Sequence, residues 1–247
     1  MKKYILIGVA LLIAALFFLS GVLFPKGSPV SWLAELSRHE VSIVIDPGHG
    51  GMDGGAQSRG GVCEKDINLA ISLMVKELAE EENWHVIMTR DEDVGLYSEE
   101  KGSIRSKKVQ DLQKRQEIIN DSKADAAVSI HLNSYPSQSV KGVQVFYSKN
   151  SEEGKIIAEI IQEKIKEELD PENHRLAMAK DDIAIMKNNS FPLVLVECGF
   201  LSNDVEVEKL QNEEYQRKIA ECIIKSLKEY FIQTGKIKKA DIPKVIS

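Results

Sequence analysis

Short unbroken apolar runs and longer stretches of helical periodicity take turns along this chain. Val41-Ser42-Ile43-Val44-Ile45 reads as a strand that stops at Asp46-Pro47-Gly48, and a Gly-rich loop follows from Gly48 to Gly61. Glu64 to Asn83 carries apolar residues at Ile67, Ala70, Ile71, Met74, Val75, Leu78 and Ala79, the spacing of one helix face. Trp84 to Thr89 predicts a second strand, Arg90 to Lys107 a long exposed polar loop, and Val109 to Ser122 a second helix. Ala126 to Ile130 and Gly142 to Tyr147 predict strands, and Glu152 to Leu169 a charged amphipathic helix. Two short apolar strands follow, Ile183 to Met186 and Leu193 to Val196. Tyr215 to Phe231 closes as a helix before a loose tail from Thr234.

Strands alternating with helices imply an α/β fold, a single three-layer domain with a mainly parallel central sheet flanked by helices. No repeat or low-complexity block interrupts it. The expected partition is a membrane segment over 1–24, a spacer over 25–40, the domain over 41–233 and a tail over 234–247.

The membrane segment is read from Lys2 and Lys3 followed by Tyr4 to Phe24, an uncharged, mostly apolar stretch. Its length is close to the ~20 residues that carry a helix across a bilayer. The lysines favour an N-terminus inside and the remainder outside. A cleaved signal peptide is the rival, but Phe18-Leu19-Ser20 and Leu19-Ser20-Gly21 put a bulky residue where a cleavage site wants a small one. The expectation is an uncleaved signal anchor, or a secreted protein if cleavage occurs. Either way the bulk of the chain is exported.

Composition narrows the partners. With 247 residues of which 43% are hydrophobic, the chain can fill one sizeable core. A formal charge of -6 and 6% aromatic content exclude nucleic acid, which needs a basic footprint or stacking rings. Cys63, Cys198 and Cys222 are too few for a disulfide framework, although a single bridge, including one between Cys63 and Cys198, stays open.

In α/β sheets, functional groups gather beyond the carboxyl ends of the strands. His49 follows the first strand, Glu64 opens the first helix, His131 caps Ala127 to Ile130, and Glu197 caps Leu193 to Val196. Two imidazoles and a carboxylate make a catalytic zinc set with one position open. Such donors leave net positive charge on the ion, so that it can polarise a carbonyl and acidify water to a pKa of about 7. A further carboxylate off the metal can take up and return a proton, the role that fits Glu197. Alone, each residue has an ordinary reading: a strand-end histidine serves many roles, and acids suit the first turn of a helix. Glu197 is harder to dismiss, because a charge ending an apolar strand is costly unless paired or functional.

The segments Ile45-Asp46-Pro47-Gly48-His49-Gly50-Gly51, Glu64-Lys65-Asp66-Ile67-Asn68-Leu69, Ser129-Ile130-His131-Leu132-Asn133-Ser134 and Leu195-Val196-Glu197-Cys198-Gly199-Phe200-Leu201-Ser202-Asn203 carry a resemblance. Together they resemble the zinc-dependent N-acetylmuramoyl-L-alanine amidases of the type 3 family. Thr89-Arg90, Leu112 to Arg115, Asn120 and Ala124-Asp125 match in order between them, so the resemblance spans residues 41 to 232. It implies one Zn2+ held by His49, Glu64 and His131, with Glu197 as catalytic acid/base. The substrate it implies is a peptidoglycan glycan strand with its stem peptide, cut at the amide between the lactyl group of N-acetylmuramic acid and L-alanine. Anchor plus bare catalytic domain, with no wall-binding module, further resembles the sporulation-associated CwlD branch. That branch removes stem peptides so that muramic-δ-lactam can form in the spore cortex. The stretch from Gly142 to Phe191 has no room for a long autoinhibitory insert. Control by an accessory activator protein stays open, with the loop from Arg90 to Lys107 or the helix from Glu152 as contact surfaces.

Other residues keep two readings. Gly48, Gly50, Gly51, Gly54 and Gly55 let backbone pass close to metal and substrate, or make a plain flexible loop. Asn133 orients substrate amides or caps a turn. Arg115 and Arg90 read as structural ion pairs. Cys63 and Cys198 are expected near the metal, as small apolar fillers or as thiols with a metal or redox role. The alternatives to an amidase are a zinc carboxypeptidase acting on wall peptides and an inactive wall-binding scaffold. The first would need a cation for the terminal carboxylate, and no arginine stands in a comparable motif. The second gives no chemical reason for keeping all four residues.

Overall fold

The computed structural model describes residues 41–98, 103–180, 182–187 and 192–238. The apolar segment expected to anchor the chain lies outside these residues. Among the described residues no helix is long and apolar enough to cross a membrane.

The strands are β1 (Ser42–Pro47), β2 (His85–Met88), β3 (Ala126–Asn133), β4 (Gln144–Tyr147), β5 (Met178–Ala179) and β6 (Leu193–Phe200). The helices are α1 (Glu64–Glu81), α2 (Ile104–Asp121), α3 (Glu152–Glu168), α4 (Asp204–Leu210) and α5 (Glu213–Gln233). They form one six-stranded sheet in the order β2-β1-β3-β6-β4-β5. Neighbours among β2, β1, β3 and β6 are parallel, β4 runs antiparallel to β6, and β5 is parallel to β4.

Alternation along the central strands explains the layers. Ile43, Ile45, Val128, Ile130, Val194 and Val196 enter one core with Ile71 and Val75 of α1, Ile161 of α3 and Phe231 of α5. Val44, Ala127, Leu193 and Leu195 point to the other face and meet Ile119 of α2 with Ile185 and Met186. Strands buried on both faces read as continuous apolar runs, because successive side chains point to opposite sides and each side is covered. From β1 the chain crosses through α1 to β2 on one side, then returns through α2 to β3 on the other side of β1. Such a reversal opens a crevice at the carboxyl ends of the two strands flanking it.

Several boundaries differ from the sequence expectation. Helix α2 starts at Ile104 rather than Val109, capped by Ser103 Oγ accepting from Ser106 N at 3.2 Å, so the loop from Arg90 to Lys107 is shorter than expected. Its first turns face solvent and carry no apolar stripe, which hid them. Ile183 to Met186 is not a strand. Ala184–Met186 form a single 3₁₀ turn whose burial comes from packing on the α2 face. A run of four apolar residues has too few positions to separate the two periods. Strand β5 escaped notice because both its residues are exposed and only its backbone pairs. Helix α4 was also missed, although Asn203 with Glu206 three residues on is a capping signature, and Asn203 Oδ1 accepts from Val205 N and Glu206 N, both at 3.1 Å.

Candidate metal centre

The crevice between β1 and β3 collects the predicted residues. His49 lies two residues past β1, Glu64 is the first residue of α1, and His131 and Glu197 lie inside β3 and β6. The sequence placed the last two as caps, but both strands run on past them, to Asn133 and Phe200.

His49 Nε2 and His131 Nδ1 approach the same oxygen, Glu64 Oε1, at 3.2 and 2.9 Å. One donor atom from each of the three residues lies within 4.8 Å of the others, a group competent to hold a metal ion. The rings stand edge to face with centroids 5.0 Å apart. Glu64 is itself pinned. Its Oε1 accepts from Leu132 N at 3.0 Å and Asn68 Nδ2 at 3.2 Å, and its Oε2 accepts from Ala56 N at 2.8 Å. Burial by itself would raise this carboxyl. Hydrogen bonds and charge from the two imidazoles overcome burial and hold it well below the usual range. Burial likewise pulls the His49 imidazole down, but its bonds to Asp53 and Glu64 push it up to about 9. Surroundings that favour a proton so strongly also favour a divalent cation in its place, so the donor set fits zinc.

The His49 backbone is unusual. At φ 61° it occupies the left-handed region, which β-carbon-bearing residues rarely adopt. Two guanidinium groups hold the turn by three successive carbonyls. Arg115 donates to Pro47 O at 2.6 Å and to His49 O, while Arg90 donates to Pro47 O and Gly48 O, each at 3.0 Å. Arg115 is anchored in turn on buried Asp46 at 2.7 Å and on Asp111 at 2.6 Å. Asp46 also accepts from Thr89 Oγ1 and Ser129 Oγ, each at 2.6 Å. The ion-pair reading holds for Arg115, whereas the bonds of Arg90 among the described residues go to backbone carbonyls; both support the loop that carries His49.

Two glycines are required by close approach. A β-carbon on Gly48 would lie 2.3 Å from the His131 ring. One on Gly55, where φ is 68°, would lie 2.5 Å from Glu64 Oε2.

Glu197 sits beside His131 in register across β3 and β6. Its Oε2 is buried with no hydrogen-bond partner among the described residues. Burial is the main reason its carboxyl is pushed up to about 7; the neighbouring Glu64 charge adds to this, and His131, Lys180 and His49 work against it. A carboxyl poised there can hold or release a proton near neutrality.

Asn133, the last residue of β3, accepts at Oδ1 from Ser134 N at 2.8 Å. The three cysteines are free thiols, and neither Cys63 nor Cys198 belongs to the metal-competent group. Cys198 packs in the core, where burial pushes its thiol far up, the behaviour of an apolar filler. Sequence reasoning passed over Asp53 and Asn68. Asp53 contacts His49 Nδ1 at 3.0 Å, and Asn68 ties Glu64 to Gly48 O at 3.2 Å. Asn68, one helical turn after Glu64, was findable by its i+4 spacing.

A family of N-acetylmuramoyl-L-alanine amidases (Amidase_3) matches residues 43–229. A germination-specific N-acetylmuramoyl-L-alanine amidase of Bacillus subtilis is 39% identical over 193 residues, covering 78% of this chain and 81% of the relative. Among solved structures, the CwlD amidase of Clostridioides difficile in complex with the GerS lipoprotein superposes with a TM-score of 0.76 at 43% identity, covering 78% of this chain and 98% of that one. An N-acetylmuramoyl-L-alanine amidase from Clostridium difficile 630 superposes at 0.65 with 29% identity, covering 78% and 97%.

Proposed function

Because the chain belongs to the N-acetylmuramoyl-L-alanine amidase family, a family of peptidoglycan hydrolases, we propose that it is a zinc enzyme acting in the spore cortex. In this reading His49, Glu64 and His131 hold the ion and Glu197 is the catalytic acid/base. The carrying observation is the convergence of both imidazoles on Glu64 Oε1, with Glu197, whose Oε2 has no partner among the described residues, in register beside His131.

The bond cut is the amide between the lactyl group of N-acetylmuramic acid and L-alanine of the stem peptide. Zinc, when bound, supplies polarisation of the lactyl carbonyl and acidification of water. The chain's own residues do the remainder. Asn68 and the backbone of Leu132 and Ala56 fix the Glu64 carboxylate, and the arginine-clamped turn presents His49. Glu197 accepts the attacking water's proton and delivers it to the alanine nitrogen as the C–N bond breaks. Burial of Glu197 supports this, because a carboxyl pushed up to about 7 takes the water's proton more readily than a solvated one and can still hand it on near neutrality.

Peptidoglycan lies outside the cytoplasmic membrane, so the domain works there, held by the apolar segment from Tyr4 to Phe24 as an anchor. The likeness to a germination-specific amidase supports a role in freeing muramic acid for δ-lactam formation. The likeness to an amidase solved with a lipoprotein supports an accessory lipoprotein partner.

The test is product analysis of purified peptidoglycan digested with and without a chelator. The reading expects chelator-sensitive release of stem peptides with free L-alanine amino termini. Release of terminal alanine with the stem-to-sugar link intact would defeat it. For the cortex role, spores of a strain lacking the gene are expected to contain no muramic-δ-lactam, and normal δ-lactam content would remove that part.

A further inference from the structure

We infer that Asp53 is a positioning residue for the metal centre, locking the His49 ring so that Nε2 is presented to the ion, with Lys108 of α2 steadying the carboxylate. The inference rests on the assignment of His49 as a ligand.

An imidazole binds a metal through a bare nitrogen, so the proton of the neutral ring must sit on the other one. For His49 the two nitrogens face different partners. Nε2 faces the shared Glu64 oxygen, whereas Nδ1 lies 3.0 Å from Asp53 Oδ2. A carboxylate can only accept, so this contact requires Nδ1–H and leaves the Nε2 lone pair for the cation. It also fixes the ring plane and adds electron density to the ligand, the two effects by which carboxylates behind histidines strengthen metal sites.

Asp53 is built to stay in place. Its other oxygen, Oδ1, pairs with Lys108 Nζ at 2.8 Å and accepts from Gly55 N at 3.3 Å. Its backbone closes a small loop on Gly50 through two 3.0 Å hydrogen bonds. Lys108, Asp111 and Arg115 follow at i, i+3 and i+7 on one face of α2. That face therefore reaches His49 twice, through its ring by way of Asp53 and through its carbonyl by way of Arg115. Helix α2 supplies no ligand yet sets both the ring and the backbone of one.

The experiment titrates zinc into the metal-free full-length protein against a competing chelator, for wild type, Asp53→Ala, Asp53→Asn and Lys108→Met. Each apo protein's melting temperature and histidine ring ¹H–¹⁵N spectrum are recorded alongside. Asp53→Ala is expected to lose about 10–100-fold in zinc affinity with the apo melting temperature held. Asp53→Asn, which keeps an acceptor oxygen without the charge, should fall between it and wild type. Lys108→Met should lose less than about fivefold, as an exposed pair does. The protected Nδ1–H signal of zinc-loaded His49 should be present in wild type and lost in Asp53→Ala. Equal zinc affinity in wild type and Asp53→Ala would overturn the inference alone. So would an affinity loss that appears only with loss of the apo fold and is absent from Asp53→Asn. Failure of wild type to bind zinc would overturn the ligand assignment and the inference together.

Discussion

His131 and Glu197 are register partners on the adjacent parallel strands β3 and β6. Register partners in a sheet present their side chains to the same side. A member of the metal-competent group and a carboxyl whose Oε2 has no partner among the described residues therefore emerge together from the centre of the sheet, not from separate loops. Sites carried on regular elements hold their geometry more tightly than sites on loops.

Glu197→Ala follows from that arrangement. Zinc content should match wild type, while turnover on purified peptidoglycan falls by about 10²–10⁴-fold. Loss of zinc from this variant would make Glu197 a ligand instead of the acid/base.

His49→Ala, Glu64→Ala and His131→Ala should each lose metal as well as activity, since each removes one of three donors. Elemental analysis after dialysis reads this directly. Wild-type zinc content in both histidine variants would reject the assigned set.

Gly48→Ala adds one methyl group that would lie 2.3–2.6 Å from three atoms of the His131 ring. The ring must move, and a displacement on the order of 1 Å at such a centre costs about 10²-fold in rate. Steady-state kinetics of this variant should show that loss with the fold retained by circular dichroism. Unchanged kinetics would mean the ring can yield without consequence.

Asp46 sets a pH dependence of stability. Burial alone would raise its carboxyl, but Arg115, Ser129 and Thr89 bring it below the ordinary range. A carboxylate lowered by folding stabilises above its unfolded pKa of about 4, and that contribution disappears as pH falls through the folded value. Breaking a buried pair of this kind costs about 3–5 kcal/mol. Asp46→Asn should therefore be less stable than wild type by that order at pH 7, with the gap narrowing below about pH 4 in urea unfolding. A gap that stays constant across this range would deny the ionised pair its role.

Much of this molecule could be read along the chain. The four central strands bury both faces, so their residues spell continuous apolar runs, and the helices between them keep a 3.6-residue stripe. His49 and Glu64 were visible because they border such elements, and His131 and Glu197 because each interrupts the apolar run of its strand. The resemblance of four ordered motifs then gave their chemistry.

Tertiary structure decided what no local pattern encodes. Strand β5 and the first turns of α2 bury little and so leave no periodic trace. Arg115, Arg90 and Asp46 are ordinary charged residues in sequence, and only folding brings two guanidiniums onto the carbonyls of Pro47, Gly48 and His49. Likewise the order β1-β3-β6 is what sets His131 beside Glu197, and α2 crossing the sheet is what brings Lys108 to Asp53. Sequence specifies which elements form because burial is periodic along the chain. Which charged groups meet depends on contacts between residues as far apart as Asp46 and Arg115, and those exist only once the sheet has assembled.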